Sequence, residues 1–271
     1  MTEKILITDF NDTNTSIYNM RSETALFRMN EPKPGIFIAE TELVIRRALN
    51  AGFTPISMLC AKSELDSLES LINECENAFD DSVFPVYYAE HEHIKNLIGF
   101  PLTRGVLCAM KRRILPLADQ VIENAKNIAI LCDIENPTNI GTIFRNAAAL
   151  NIDAIILYGN CSDPLYRRSL RAGMGCQFSI PWTICKDLNE IKEKGFLFAA
   201  LALRDDSISL LELAEKKNTK KAVILGNEGY GLSEEILDLC DEVITIPMRE
   251  GVDSLNVAVA SGIAFYELSK N

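Results

Sequence analysis

Apolar positions along this chain fall into two repeating patterns, short continuous runs and helical periods, that alternate almost from the start. Gly35-Ile36-Phe37-Ile38-Ala39 is an apolar run of strand length. It leads into Glu40–Ala51, where Leu43, Val44, Ala48 and Leu49 recur at helical spacing and Gly52 ends the helix. A strand over Pro55–Leu59, a polar helix over Ser63–Asn77, a strand over Phe84–Tyr88 and a helix over Glu90–Ile98 are expected next. This is the pattern of a small α/β domain. The stretch Arg112–Asn127, with Pro116 inside it, reads as a connection, so the expected boundaries are 1–115, a linker over 116–126, and a second domain over 127–271.

The second half is more regular. Strands are expected at Ile128–Cys132, Ala154–Leu157, Phe196–Leu203, Ala222–Leu225 and Glu242–Ile246, with helical segments between them and a last helix from about Leu255 to Leu268. Strands that read as unbroken apolar runs are buried on both faces, which predicts a mostly parallel sheet wrapped by helices. No internal repeat is visible.

Composition narrows the function. At 271 residues two domains are the better expectation. No apolar run approaches the ~20 residues of a membrane span. The amino terminus turns polar at Thr2-Glu3-Lys4, unlike a signal peptide, so a cytoplasmic location is expected. Eight cysteines lie scattered without a C-x-x-C pair, and several sit in apolar runs, as Cys132 does. Buried reduced thiols fit this better than a zinc site, and no metal is expected. His91 and His93 flank Glu92 and read as a solvated helix start. The net charge of −11 argues against a general nucleic-acid binder. Dividing the chain at Ala118 leaves both parts acidic, so any RNA contact must be local. The candidate patches are Arg104 with Lys111, Arg112 and Arg113, and the group Arg167, Arg168 and Arg171.

Three segments carry candidate chemistry. In the first, Asn136-Pro137-Thr138-Asn139-Ile140-Gly141-Thr142-Ile143-Phe144-Arg145-Asn146-Ala147-Ala148-Ala149, a strand gives way to a helix, with Pro137 and Thr138 suited to the first turn. Asn139 and Arg145 lie six apart and are expected to line one side of the helix end. Arg145 stands among apolar and small residues, an expensive place for a guanidinium unless it meets a charged group or ligand. In the second, Ile224-Leu225-Gly226-Asn227-Glu228-Gly229-Tyr230-Gly231-Leu232-Ser233, a buried strand ends in a glycine-rich turn, and Ser233 is a plausible cap for the next helix. The order G-x-x-G-x-G is neither the dinucleotide fingerprint nor a Walker loop. In the third, Ile246-Pro247-Met248-Arg249-Glu250-Gly251-Val252-Asp253-Ser254-Leu255-Asn256, a polar loop precedes the last helix, whose run Ala258–Gly262 suits close packing.

Together and in this order, the segments resemble the three motifs of the SpoU (TrmH-like) RNA methyltransferases of the SPOUT superfamily, over roughly Asn127 to Leu268. Asp163–Ser169 has the look of the family's substrate-side loop. The amino-terminal part is similar, more loosely, to the ribosomal-protein-like α/β substrate-binding domain often fused to this unit. The resemblance implies a parallel sheet whose carboxy-terminal chain is threaded into a deep trefoil knot, which no spacing argument predicts. It implies S-adenosylmethionine as cofactor, held largely by backbone groups around Ala202, Leu203, Leu225, Gly226, Asn227, Gly229, Ile246, Pro247, Met248 and Leu255. It implies a homodimer with the active site at the interface. It places Asn139, Arg145, Glu228, Ser254 and Asn256 in the active site, with Arg145 orienting a ribose 2′-hydroxyl or a neighbouring phosphate and stabilising developing negative charge. RNA contacts are expected from Arg167, Arg168, Arg171, Arg112 and Arg113. Ribosomal RNA is favoured and transfer RNA is the alternative.

Three rival readings stand beside it. A nicotinamide-dependent oxidoreductase is disfavoured by the missing G-x-G-x-x-G. An inactive RNA-binding scaffold should have lost one of the five motif residues, and all are present. A base methyltransferase of the same superfamily is the nearest competitor, and the Arg145 and Ser254-x-Asn256 pattern favours ribose.

Overall fold

Short apolar runs do form strands in the computed structural model, which describes residues 1–8, 15–18, 23–98, 105–204, 206–249, 251–252 and 254–270. Arg104, Glu250 and Asp253, singled out above, lie outside the described residues. Along the first part come β1 (Thr2–Leu6), α1 (Glu23–Arg28), β2 (Ile36–Glu40), α2 (Glu42–Asn50), β3 (Pro55–Ala61), α3 (Glu69–Ala78), β4 (Phe84–Ala89), α4 (His91–Ile98) and β5 (Val106–Lys111). After these come α5 (Ala118–Ile122), β6 (Asn127–Cys132), α6 (Pro137–Ala149), β7 (Ala154–Tyr158), α7 (Arg167–Gly173), β8 (Trp182–Ile184) and α8 (Asn189–Lys192). The chain continues through β9 (Phe196–Leu201), β10 (Ile208–Ser209), α9 (Leu210–Glu215), β11 (Lys220–Leu225), α10 (Glu234–Leu239), β12 (Glu242–Thr245) and α11 (Val257–Leu268).

These elements form two compact units. One is Met1–Ile114 together with Leu165–Phe178, and the other is Leu115–Pro164 together with Ser179–Asn271. The domain boundaries read from sequence therefore differ in two places. The expected linker contains α5, whose Ala118, Val121 and Ile122 are buried in the second unit's core. The segment 165–178, expected in the catalytic half, belongs to the first unit.

The first unit is built on a mixed sheet in the order β1-β4-β3-β5-β2. β1, β4 and β3 run parallel, and β5 is antiparallel to both β3 and β2. Every residue of β2 is buried although it is an edge strand, because α1 and α7 pack against it. The expected helix Ser63–Asn77 is shorter: a 3-10 turn over Lys62–Glu64 precedes α3, which buries Leu71, Ile72 and Cys75. α2 starts where Thr41 accepts a hydrogen bond from the Val44 amide. The aromatic rings of Phe37, Phe53 and Phe178 pack together, so a residue from the 165–178 segment completes this core.

The second unit is a seven-stranded sheet in the order β10-β12-β9-β11-β6-β7-β8, with every pairing parallel. Side chains of β11 alternate between its faces: Val223 and Leu225 join the core beneath α6, α9 and α11, and Ala222 and Ile224 join the core beneath α5, α8 and α10. From β6 the chain builds β7 and β8 to one side, and then β9, β11 and β12 to the other. The crevice beyond the carboxyl ends of β6 and β11 is thus a topological switch point, where open parallel sheets place ligands. α11 follows β12 and packs on α6 and α9.

All eight cysteines are free thiols. Burial pushes the Cys60 thiol up to about 12, and Cys161 and Cys240 up to about 11. Among the described residues no cluster of three metal-ligating side chains occurs and no helix is long and apolar enough to cross a membrane.

Candidate active site

Asparagines occupy the turns at this crevice because a short amide can cap a helix and bond its own backbone at once. Asn136 is the N-cap of α6 and accepts the Thr138 amide at 2.9 Å. Asn256 is the N-cap of α11 and accepts the amides of Ala258 and Val259 at 3.0 and 3.3 Å. Asn139, on the first turn of α6, is 6% exposed, and a buried amide demands partners. It finds them on both sides. Its Nδ2 donates to Glu228 Oε1 at 2.8 Å, and its Oδ1 accepts from Asn256 Nδ2 at 3.2 Å. The Asn136 backbone amide also approaches Glu228 Oε1, at 3.4 Å. One residue from each of the three motif segments therefore meets in a single hydrogen-bonded chain.

The glycine-rich loop after β11 is tightly closed. Asn227 and Gly231 exchange backbone hydrogen bonds of 2.9 and 3.0 Å. A Cβ on Gly226 would lie 2.6 Å from the Gly231 carbonyl carbon, so only glycine fits there. The Asn227 side chain is committed inside the loop: Nδ2 donates to the Asp133 carbonyl at 2.7 Å and Oδ1 accepts the Gly229 amide at 2.7 Å. The Tyr230 phenol is pushed up by desolvation and by the carboxylates of Asp133, Glu135 and Glu228, which gather around this loop.

β12, β9 and β11 are neighbours, with Ile224 beside Ala200 and Ile244 beside Leu201. Their parallel course brings Ala202 and Leu203, Gly226 and Ile246 out at one edge. Leu203 and Leu255 are 62% and 38% exposed, apolar surface that folding alone leaves uncovered. A preformed glycine turn, three adjacent strand ends and exposed apolar side chains suit a nucleoside-type cofactor bound largely through main-chain groups. The residues expected to hold S-adenosylmethionine fit that description.

Arg145 and Ser254 stand apart from the chain. Six residues along a helix turn through 600°, so Arg145 emerges about 120° from Asn139 rather than on its side. It shares a stripe with Thr138 and Thr142 and is exposed, with no hydrogen bond or ion pair among the described residues. The burial cost expected from its apolar neighbours does not arise. Ser254 is also exposed, two residues before the α11 cap.

Asn146 lies in the first motif segment but is given no role from sequence; it shares the Asn139 face, seven residues on. Its Nδ2 donates to the Ala258 carbonyl at 2.7 Å and to Ser261 Oγ at 3.0 Å, tying α6 to α11. That spacing was a readable signal. Beside it a groove of about 670 Å³ runs between the helices, lined by Thr138, Thr142, Val259, Gly262, Ile263 and Tyr266 among others.

The arginines expected to bind RNA belong to the first unit, and most are committed there. Arg171 pairs with the buried Glu40 at 2.5 Å. Burial pulls the Arg167 guanidinium down from its ordinary value, against the opposing pull of Glu23 and Glu40. Arg112 lies over the Phe27 ring and donates to the Ile36 carbonyl at 3.1 Å. Arg113 lies over the Phe53 ring and donates to the Ala51 carbonyl at 3.0 Å. Arg168 is exposed and makes no hydrogen bond or ion pair among the described residues.

Comparison with known proteins matches the chain to a family. The family model described as the SpoU rRNA Methylase family matches residues 126–266. An uncharacterized tRNA/rRNA methyltransferase of Mycobacterium bovis is 36% identical over 244 residues, 87% of this chain and 81% of that one. The 23S rRNA (guanosine(2553)-2'-O)-methyltransferase of Bacillus subtilis is 29% identical over 156 residues, 56% of this chain and 61% of that one. The crystal structure of an AdoMet-bound rRNA methyltransferase from Sinorhizobium meliloti shares the fold with a TM-score of 0.80 at 23% identity, covering 99% of this chain and 98% of that one. By its matched residues and its similarity to these relatives, the chain belongs to the SpoU rRNA methylase family.

Proposed function

We propose that the protein methylates a ribose 2′-hydroxyl of RNA, with ribosomal RNA as substrate, using S-adenosylmethionine. The observation that carries this is the hydrogen-bonded meeting of Glu228, Asn139 and Asn256 beside the strand ends of β9, β11 and β12. The Bacillus subtilis relative, named for 2'-O methylation of 23S rRNA, supports both the ribose and the ribosomal choice.

S-adenosylmethionine supplies an electrophilic methyl carbon. The chain's own tasks are to hold the cofactor, to orient the hydroxyl and to ease loss of its proton. Backbone groups at Ala202, Leu203, Leu225, Gly226, Gly229, Ile246, Pro247 and Met248 hold the cofactor, with Leu203 and Leu255 as apolar walls. Arg145 orients the hydroxyl or its phosphate and stabilises negative charge as it develops. Its exposure leaves its donors open to RNA. Ser254 orients the RNA from the loop that precedes α11.

The active form is a homodimer. α11 is apolar all round, and Val259, Ile263 and Tyr266 are 54%, 39% and 55% exposed along one stripe, which a second copy of the chain would cover. The chain between β12 and α11 takes the trefoil-knotted course of the family. The first unit serves as the RNA-binding domain, with Arg168 offering its cation to the backbone phosphates.

The test is direct. The purified protein is incubated with S-adenosylmethionine and unmodified ribosomal RNA, which is then digested to nucleosides and examined by mass spectrometry. A 2′-O-methylated nucleoside is expected, and a base-methylated product, or none, overturns the ribose assignment.

A further inference from the structure

We infer that Glu228 is a positioning residue that sets the direction of the hydrogen-bond chain running through Asn139 to the first turn of α11. A carboxylate has no proton to give, so only the amide nitrogen of Asn139 can face it. The Asn139 oxygen must then point to Asn256, whose own nitrogen must face back. That leaves Asn256 Oδ1 to accept the Ala258 and Val259 amides that α11 presents at its start. Each amide thus has one orientation, held by Glu228 at one end of the chain and by the α11 amides at the other. The chain begins in the glycine-rich loop and ends on the helix whose outer stripe is apolar. Loop order on one side and helix capping on the other are thereby joined through two side chains.

The charged groups that act on the glycine-rich loop at Tyr230 are carboxylates, and the loop before α11 adds Arg249. The loop after β11 brings Glu228, and the loop after β6 brings Asp133 and Glu135. Arg145 leaves α6 on another side, and α11 carries no charged residue before Glu267. A carboxylate placed at position 139 would therefore face Glu228, which makes no ion pair among the described residues. One of the two would hold a proton well above the ordinary carboxylate range. Because the folded-state affinity for that proton is raised, the stability it supports is present at low pH and lost as pH rises.

Reversed polarity supplies the test, made on the full chain with thermal unfolding from pH 5 to 8.5 and calorimetric binding of S-adenosylhomocysteine. The binding arm rests on the proposed cofactor reading, and the unfolding arm does not. Asn139→Asp is expected to lose melting temperature steeply between pH 5 and 8 relative to the parent, and to bind S-adenosylhomocysteine ~tenfold more weakly at pH 8 than at pH 5.5. Adding Glu228→Gln makes a donor face an acceptor again. The new amide at position 228 can donate to the carboxylate at position 139, whose second oxygen still accepts from Asn256. The double variant should recover parental melting at pH 8 and lose the pH dependence. An Asn139→Asp profile parallel to the parent, or a double variant that is no better than the single or does not fold, overturns the inference. If the parent itself fails to bind S-adenosylhomocysteine, the cofactor reading falls, and the unfolding profiles still decide the polarity.

Discussion

The two sheets use their polar residues in opposite ways. In the first unit, Glu40, Arg171, Arg112 and Arg113 are turned to internal partners, and they brace a segment or a strand edge. In the all-parallel sheet, polar side chains gather where the strands of one crevice end, and Arg145 is left without any partner among the described residues. A cation's role follows from what it meets, and clustering in sequence does not reveal it. Arg167, Arg168 and Arg171 read as one patch, yet Arg171 is paired with Glu40 while Arg168 is exposed without such a partner among the described residues.

The largest expected effect is on the unpartnered side. Arg145→Ala should lower methylation of the true RNA by ~10²-fold or more with the melting temperature unchanged, as for other lost donors to developing charge. Retained activity with intact cofactor binding would sink the assignment. Gly226→Ala forces a Cβ into the Gly231 backbone, and calorimetry should show S-adenosylmethionine binding weakened by on the order of tenfold or more. Unchanged affinity would mean that this loop is not the cradle. On the braced side, Arg171→Met strands the buried Glu40 carboxylate, and denaturant unfolding should show a loss of about 2 kcal/mol, discounted because Arg171 is itself half open to water. The smallest effect separates the two classes within one helix. Arg168→Ala should leave stability alone and reduce the salt slope of RNA binding by about 1, whereas an unaltered slope would remove Arg168 from the interface.

Much of this architecture was legible because burial on both faces leaves a plain signal. The five strands expected in the second half all exist, and the parallel sheet follows from their unbroken apolar character. β8 and β10 escaped notice because three and two residues are too few to carry a pattern. β1 was hidden by its half-exposed, charged composition, Thr2-Glu3-Lys4. In the site, Asn139, Glu228 and Asn256 were named from their motifs, but their mutual bonding depends on a sheet order that no local spacing encodes. The angle between Asn139 and Arg145 was misread where simple helical geometry was enough to correct it. The shift of residues 165–178 into the first unit rests on Phe178 and Arg171 finding partners more than a hundred positions earlier, contacts invisible to any window of sequence.

That borrowed segment also bears on how the chain is made. An amino-terminal domain ordinarily closes as soon as it has left the ribosome, at ~5–20 residues per second. Here the first unit must wait for Phe178, roughly sixty residues after Ile114, while β6, α6 and β7 emerge in the interval. Birth of the two units is interleaved, and a half-finished chain holds an open aromatic core for several seconds. A stalled or truncated product would expose Phe37 and Phe53 in that window, making it a natural client for chaperones.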